Sequence, residues 1–92
     1  EKYYIKGGSV YMDGRFCART IAMEDGHIFV LPKDFEPGGD AQVYNASGCH
    51  VVPGFIDVHT HGAVGVDVNA ASAEDLEKIC QFMAGNGTTA CL

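Results

Sequence analysis

The first fifty residues alternate short apolar runs with turn-forming dipeptides, a pattern that predicts β-strands joined by tight turns. Asp13-Gly14 and Asp25-Gly26 each separate two such runs, and this dipeptide is a strong signal for a two-residue β-hairpin. The predicted strands cover residues 3–6, 9–12, 16–23, 27–31 and 43–46. We therefore expect the first half of the chain to form a small antiparallel β unit.

The pattern changes at residue 51. Residues 51–61 are predicted to form an apolar strand, and residues 62–69 a glycine-containing loop. Ser72 is a candidate helix N-cap because Asp75 follows three residues later, as in a capping box. Apolar residues then recur at helical spacing on one face: Leu76, Ile79, Cys80 and Met83.

The predicted helix ends at Gly85-Asn86-Gly87, where glycine permits a left-handed stop, and another strand begins at residue 88. This order is β-loop-α-β, so the two strands are expected to be parallel and joined by a crossover helix. One helix cannot cover both faces of a parallel pair. The predicted organisation is a β-rich part at residues 1–50 and the start of a larger α/β structure at residues 51–92. A start at Glu1 rather than Met also suggests a trimmed chain.

Two histidines at the end of the predicted strand are the main candidates for chemistry. Side chains alternate along a strand, so His59 and His61 are expected to project from the same face. Imidazole is a common ligand for zinc and iron. Asp57 shares that face, and we interpret it as a carboxylate that supports the ligands without binding the metal itself. Taken alone, such a pair is more often two polar residues on an exposed strand. The apolar strand before it and the glycine loop and capped helix after it favour the interpretation as metal ligands.

Two ligands are fewer than the three that catalytic zinc sites usually take from the protein. The other histidines, His27 and His50, lie in the β-rich half and are interpreted as surface or packing residues. No catalytic residue and no substrate-binding residue is therefore assigned within these 92 residues.

Composition and charge argue against some classes of binding partner. Twelve acidic and six basic residues give a formal charge of −6, which argues against non-specific nucleic-acid binding. No signal peptide and no apolar run of membrane-spanning length is evident, so no membrane association is expected. The four cysteines have no paired spacing, which favours reduced thiols and a cytoplasmic location. Cys80 and Cys91 are predicted to be buried.

At residues 53–62 the run PGFIDVHTHG resembles the first barrel strand of the amidohydrolase superfamily, whose members are metal-dependent (β/α)8 barrels. The sequence from His59 onward resembles the N-acetylglucosamine-6-phosphate deacetylase family. The residues that carry this resemblance are Gly62, Gly65, Asp67 and the run Gly87-Thr88-Thr89. The β-rich half is similar to the N-terminal part of that family's small β-sandwich domain. The implied fold class is α/β: the first β/α unit of a metal-dependent (β/α)8 barrel, preceded by part of a β-sandwich and incomplete on its own.

The resemblance implies a full-length enzyme that hydrolyses N-acetylglucosamine 6-phosphate to glucosamine 6-phosphate and acetate. His59 and His61 match the family's first-strand metal ligands. One or two divalent ions, zinc or iron, are implied per subunit. The family's remaining ligands, a glutamate and two histidines, and its catalytic aspartate come from later strands. The resemblance also implies an amino-sugar phosphate substrate and a homo-oligomer, and we expect the 92-residue chain alone to be inactive.

Two alternatives remain open. The chain could belong to another amidohydrolase, a cyclic amidase or a deaminase, and the ligands encoded beyond Leu92 would separate these enzymes. It could also be a small non-catalytic β module with an incidental histidine pair. Metal titration distinguishes this last case, because binding that is lost in His59→Ala would indicate a real site.

Overall fold

The computed structural model describes residues 2–92 and divides the chain into two compact units, one ending at Pro53 and the other beginning at Gly54. The N-terminal unit contains β1 (Lys2–Lys6), β2 (Ser9–Met12), β3 (Arg15–Glu24), β4 (His27–Pro32), β5 (Gln42–Asn45) and β6 (His50–Val51). The C-terminal unit contains β7 (Phe55–Asp57), β8 (Gly62–Ala63), β9 (Val66–Asp67), a 3-10 turn (Val68–Ala70), α1 (Ala73–Gly85) and β10 (Thr88–Cys91).

The long strand β3 organises the N-terminal sheet, and tight hairpins join it to β2 and β4. Both turns have positive φ at their two central residues: 52° and 79° at Asp13-Gly14, and 50° and 77° at Asp25-Gly26. These are the dihedrals of a type I′ turn, whose twist matches that of the flanking strands. Both predicted hairpins are confirmed.

The sheet is mixed, so the prediction of a purely antiparallel unit was wrong for two strands. β5 pairs parallel with β1, and β6 pairs parallel with β2. The reason is the connection after β4, which crosses the sheet instead of turning back on itself. Two contacts hold this connection against the sheet. The rings of Phe35 and Tyr4 stack with centroids 5.7 Å apart, and the Lys6 Nζ donates a hydrogen bond to the Phe35 carbonyl at 2.6 Å.

The core of this unit lies along β3 and the strands beside it. Its buried apolar residues are Tyr4, Val10, Ile21, Ala22 and Ala46. Thr20 is fully buried, and its hydroxyl lies 3.4 Å from the Lys33 carbonyl of the crossing connection. Burial of the Thr20 hydroxyl is therefore compensated by a hydrogen bond, as buried polar groups require.

The C-terminal unit has the predicted β-α-β order, with β7 and β10 parallel. The capping box is confirmed: the Asp75 N–H donates to the Ser72 Oγ, and the Ser72 N–H donates to the Asp75 Oδ2, both at 3.1 Å. Gly87 has a φ of +90°, which confirms the left-handed stop. Within residues 2–92, no helix has the length and apolar character needed to cross a bilayer.

The predicted apolar helix face is only partly covered. Ile79 is the single buried residue that the structure describes in this unit, whereas Leu76 is exposed. Cys80 and Cys91 are exposed too, so the prediction that they are buried was wrong. The physical reason is the one anticipated from the topology, because two strands and one helix provide no further layer over these side chains.

The predicted strand at residues 51–61 is broken in the structure. Val51 belongs to β6 in the N-terminal sheet, residues 52–54 leave the sheet, and β7 covers only residues 55–57. Pro53 has no N–H to donate to a ladder, which explains the interruption. The predicted loop at 62–69 instead forms the β8–β9 hairpin and a 3-10 turn.

Candidate metal site

The two histidines lie beyond the end of β7, in the irregular segment 58–61. Strand alternation therefore does not place them together, contrary to the prediction. They nevertheless converge: their Nε2 atoms are 3.1 Å apart, and the ring planes are almost perpendicular at 87°. Both side chains are exposed to solvent. The structure brings the predicted pair together, but by local turns instead of a continuous strand.

Asp57 fixes the position of His59 through the main chain. Its Oδ1 accepts a hydrogen bond from the His59 backbone N–H at 3.0 Å. The Asp57 carbonyl in turn accepts from the Leu92 N–H at 2.9 Å, which ties this point to the end of β10. Asp57 thus supports the backbone that carries His59, while its predicted role beside a bound metal stays a prediction.

His61 is held from the other side. Its carbonyl accepts a hydrogen bond from the Val68 N–H at 2.8 Å, which closes the β8–β9 hairpin. Gly62 begins that hairpin with a φ of +153°, and a Cβ there would collide with the Val66 carbonyl oxygen. Sequence reasoning missed Val68, because a residue that acts through its backbone N–H leaves no side-chain signal.

The spacing of the imidazoles fits shared coordination of one ion. Zinc–imidazole distances of about 2.0–2.1 Å and near-tetrahedral or smaller angles keep two ligand nitrogens roughly 2.9–3.4 Å apart. The observed 3.1 Å lies within that range, and it also suits a hydrogen bond between the two rings. Within residues 2–92 no third histidine, cysteine or carboxylate completes a metal-binding group. The residues present fit half of a ligand set.

The other two histidines make local contacts in the N-terminal unit. The ring of His50 packs on Phe16 with centroids 4.3 Å apart. The Nδ1 of His27 lies 3.0 Å from the Asp25 carbonyl. Both agree with their interpretation as surface or packing residues.

Comparison with known proteins finds similar sequences among hydantoinases and dihydropyrimidinases. No family model matches the chain. The D-phenylhydantoinase of Escherichia coli O1:K1 is 34% identical over 85 residues, which are 92% of this chain and 18% of that protein. The dihydropyrimidinase of Dictyostelium discoideum is 32% identical over 85 residues, 92% of this chain and 17% of that protein. The chain thus spans less than a fifth of the length of these curated relatives.

Several solved structures also resemble this chain. The N-acetylglucosamine-6-phosphate deacetylase from Pasteurella multocida superimposes with a TM-score of 0.87 at 23% identity, over 100% of this chain and 25% of that one. At this identity the likeness shows the fold alone. A D-hydantoinase superimposes with a TM-score of 0.60 at 31% identity, over 73% of this chain and 15% of that one. These neighbours are all amidohydrolases. Their fold is the (β/α)8 barrel, and residues 54–92 of this chain have a β-α-β order with parallel strands.

Proposed function

We propose that this chain is the N-terminal part of a metal-dependent amidohydrolase that cleaves the C–N bond of a carboxamide. The observation that carries the proposal is the 3.1 Å approach of the His59 and His61 Nε2 atoms. It is supported by the sequence relationship to hydantoinases and dihydropyrimidinase, which covers 92% of the chain.

In this proposal His59 and His61 hold a divalent ion, zinc or iron, through neutral imidazole nitrogens. When bound, such an ion polarises the amide carbonyl and lowers the pKa of a coordinated water. Asp57 keeps the His59 backbone in place, and the hydrogen bond from Val68 does the same for His61. The remaining ligands and the general base would come from later strands of the complete enzyme.

We infer N-acetylglucosamine 6-phosphate as the first candidate substrate, with glucosamine 6-phosphate and acetate as products. The support is the downstream sequence resemblance at Gly62, Gly65, Asp67 and Gly87. In this case the scissile amide is an exocyclic acetamide.

A cyclic amide is the second candidate substrate, because a D-phenylhydantoinase and a dihydropyrimidinase are 34% and 32% identical to this chain. The complete enzyme carrying this chain should be assayed with both substrates, measuring acetate release from the sugar and ring opening of hydantoin or dihydrouracil. A kcat/KM at least about a hundredfold higher for the sugar would support deacetylation. The reverse ratio would replace it with cyclic amide hydrolysis.

The metal site can be tested on the 92-residue chain itself. Calorimetric titration with zinc should show binding of one ion, lost in both His59→Ala and His61→Ala. His27→Ala is the matched control, since His27 is an exposed histidine outside the pair, and it should leave zinc affinity unchanged. Equal binding by all four proteins would contradict the proposed site. With two ligands only, the zinc-loaded chain should turn over neither substrate.

A further inference from the structure

The carboxylate of Asp67 caps the short turn that follows the β8–β9 hairpin. Its Oδ1 accepts a hydrogen bond from the Asn69 N–H at 2.8 Å. Asp67 is thereby the N-cap of the 3-10 turn Val68–Ala70, which the Ala71 N–H closes by donating to the Val68 carbonyl at 3.3 Å. A side-chain oxygen that accepts a backbone N–H two residues later fixes the local course of the chain. The Asp67 side chain therefore sets where this turn begins.

The turn acts on His61 through its first residue. Val68 donates its N–H to the His61 carbonyl at 2.8 Å. The Asp67 carboxylate binds the next amide along the chain, that of Asn69, so the peptide groups on both sides of Val68 are held. Without the carboxylate, the Asn69 N–H would lose its acceptor, and the Val68 N–H would be free to turn away from His61.

The hairpin leaves little room for Asp67 to shift alone. Gly62, which follows His61, lies opposite Asp67 in the antiparallel pair of β8 and β9. A Cβ on Gly62 would lie 3.1 Å from the Asp67 Cα, so the two strands approach closely at this point. A displacement of Asp67 would therefore be passed to Gly62 and to the histidine before it. The routes through Val68 and through Gly62 both lead to His61.

We propose that Asp67 is a positioning residue for His61, as Asp57 is for His59, an inference that rests on the proposed metal site. The two aspartates use the same bond, because each Oδ1 accepts the N–H of the residue two positions later, at 3.0 Å for Asp57 and 2.8 Å for Asp67. Asp57 acts on the His59 backbone directly, whereas Asp67 acts on His61 through Val68. Together they hold the two backbones that bring the imidazole Nε2 atoms to 3.1 Å. Removing a group that orients a ligand weakens metal binding.

The test is zinc titration of the 92-residue chain with two substitutions of Asp67. Asp67→Ala removes the acceptor, so zinc affinity should fall about tenfold. Asp67→Asn removes the charge but keeps a side-chain oxygen that can accept the Asn69 N–H, so its affinity should stay within about twofold of wild type. Glu77→Ala removes an exposed carboxylate from α1 and is the control for lost charge, with no change expected. Equal losses in both Asp67 variants would overturn the inference, because they would assign the effect to charge.

Amide exchange in the zinc-free chain gives a second readout, which needs no metal. The Val68 amide should exchange about fivefold faster in Asp67→Ala and at the wild-type rate in Asp67→Asn, while the Ile79 amide keeps its rate in both. Faster exchange at Val68 and Ile79 alike would indicate general unfolding of the unit and would overturn a role specific to His61.

Two further results would also overturn the inference: an unchanged exchange rate at Val68 in Asp67→Ala, or a zinc affinity that this variant leaves at the wild-type value. If the wild-type chain binds no zinc, the proposed metal site fails instead. The exchange rate at Val68 then decides by itself whether Asp67 holds the backbone at His61.

Discussion

The two units of this molecule differ in how far each encloses its own apolar residues. The N-terminal unit buries five apolar side chains and Thr20, whereas the described residues of the C-terminal unit bury Ile79 alone. Large apolar side chains remain exposed in the C-terminal unit by between 61% and 83%: Phe55, Ile56, Val58 and Leu92. The cause is topological, because a connection crosses one face of the N-terminal sheet, while a single helix cannot cover two parallel strands.

The histidine pair lies in the unit with the smaller core. Its geometry therefore depends on local hydrogen bonds more than on packing. The Asp57 carboxylate holds His59, and the Val68 N–H holds the carbonyl of His61. The position of a candidate ligand can therefore be set by the turns next to it, even where the surrounding layer is incomplete.

The largest expected effect comes from truncating the core of each unit in turn. Ile21→Ala should lower the free energy of unfolding of the N-terminal unit by about 2–5 kcal/mol, through lost burial and a cavity. Ile79→Ala removes the one buried side chain of the C-terminal unit, so α1 should lose its protection from hydrogen exchange almost completely while β3 keeps its own. Equal loss of protection in both units for either variant would refute the independence of the two cores.

Local features of the fold and the parallel pairing of β7 with β10 could be predicted from sequence, whereas the parallel pairings of β5 and β6 could not. Asp13-Gly14 specifies its hairpin because the turn residues themselves adopt positive φ, and Ser72 with Asp75 specifies a helix start for a similarly local reason. By contrast, the parallel pairing of β5 depends on Phe35 reaching Tyr4 across the sheet. The prediction that the two histidine side chains converge was correct, but it assumed a continuous strand. The histidines lie in turns instead, and these turns depend on hydrogen bonds of Asp57 and Val68.

A second prediction tests whether the hairpin after His61 positions that ligand. In Gly62→Ala the new methyl group would meet the Val66 carbonyl, so the hairpin must shift. Zinc affinity should fall by about tenfold or more, as it does when supporting groups around a metal are disturbed. Gly65→Ala is the control, since Gly65 has a φ of +79° with open space around it. It should cost about 1 kcal/mol in stability and leave the affinity of the folded site unchanged.

A third prediction compares turns of the two units. Val64-Gly65 has φ values of 48° and 79°, nearly the same as those of Asp13-Gly14, but it places a β-branched residue where aspartate or asparagine is preferred. Val64→Asn should therefore stabilise the β8–β9 hairpin by about 1 kcal/mol, seen as slower amide exchange at Val68. Val64→Thr keeps the branched Cβ and should show no such gain. An equal gain from both substitutions would place the effect in polarity and not in the backbone.

The smallest expected effect concerns the start of α1, the one helix over the less enclosed unit. The pKa of Asp75 is held below its ordinary value of 3.8, first by the Ser72 backbone N–H and then by the Ser72 side chain. A folded-state pKa below the unfolded value means that this contribution is fully present above the ordinary value and is lost as the pH falls through the folded one. The first turn of α1 should therefore fray as the pH falls below the ordinary value of 3.8, measured by amide exchange or helical ellipticity. Asp75→Asn should remove this part of the acid dependence. Glu77→Gln, which alters an exposed carboxylate outside the capping box, should retain it, and loss in both variants would assign the transition to general acid unfolding.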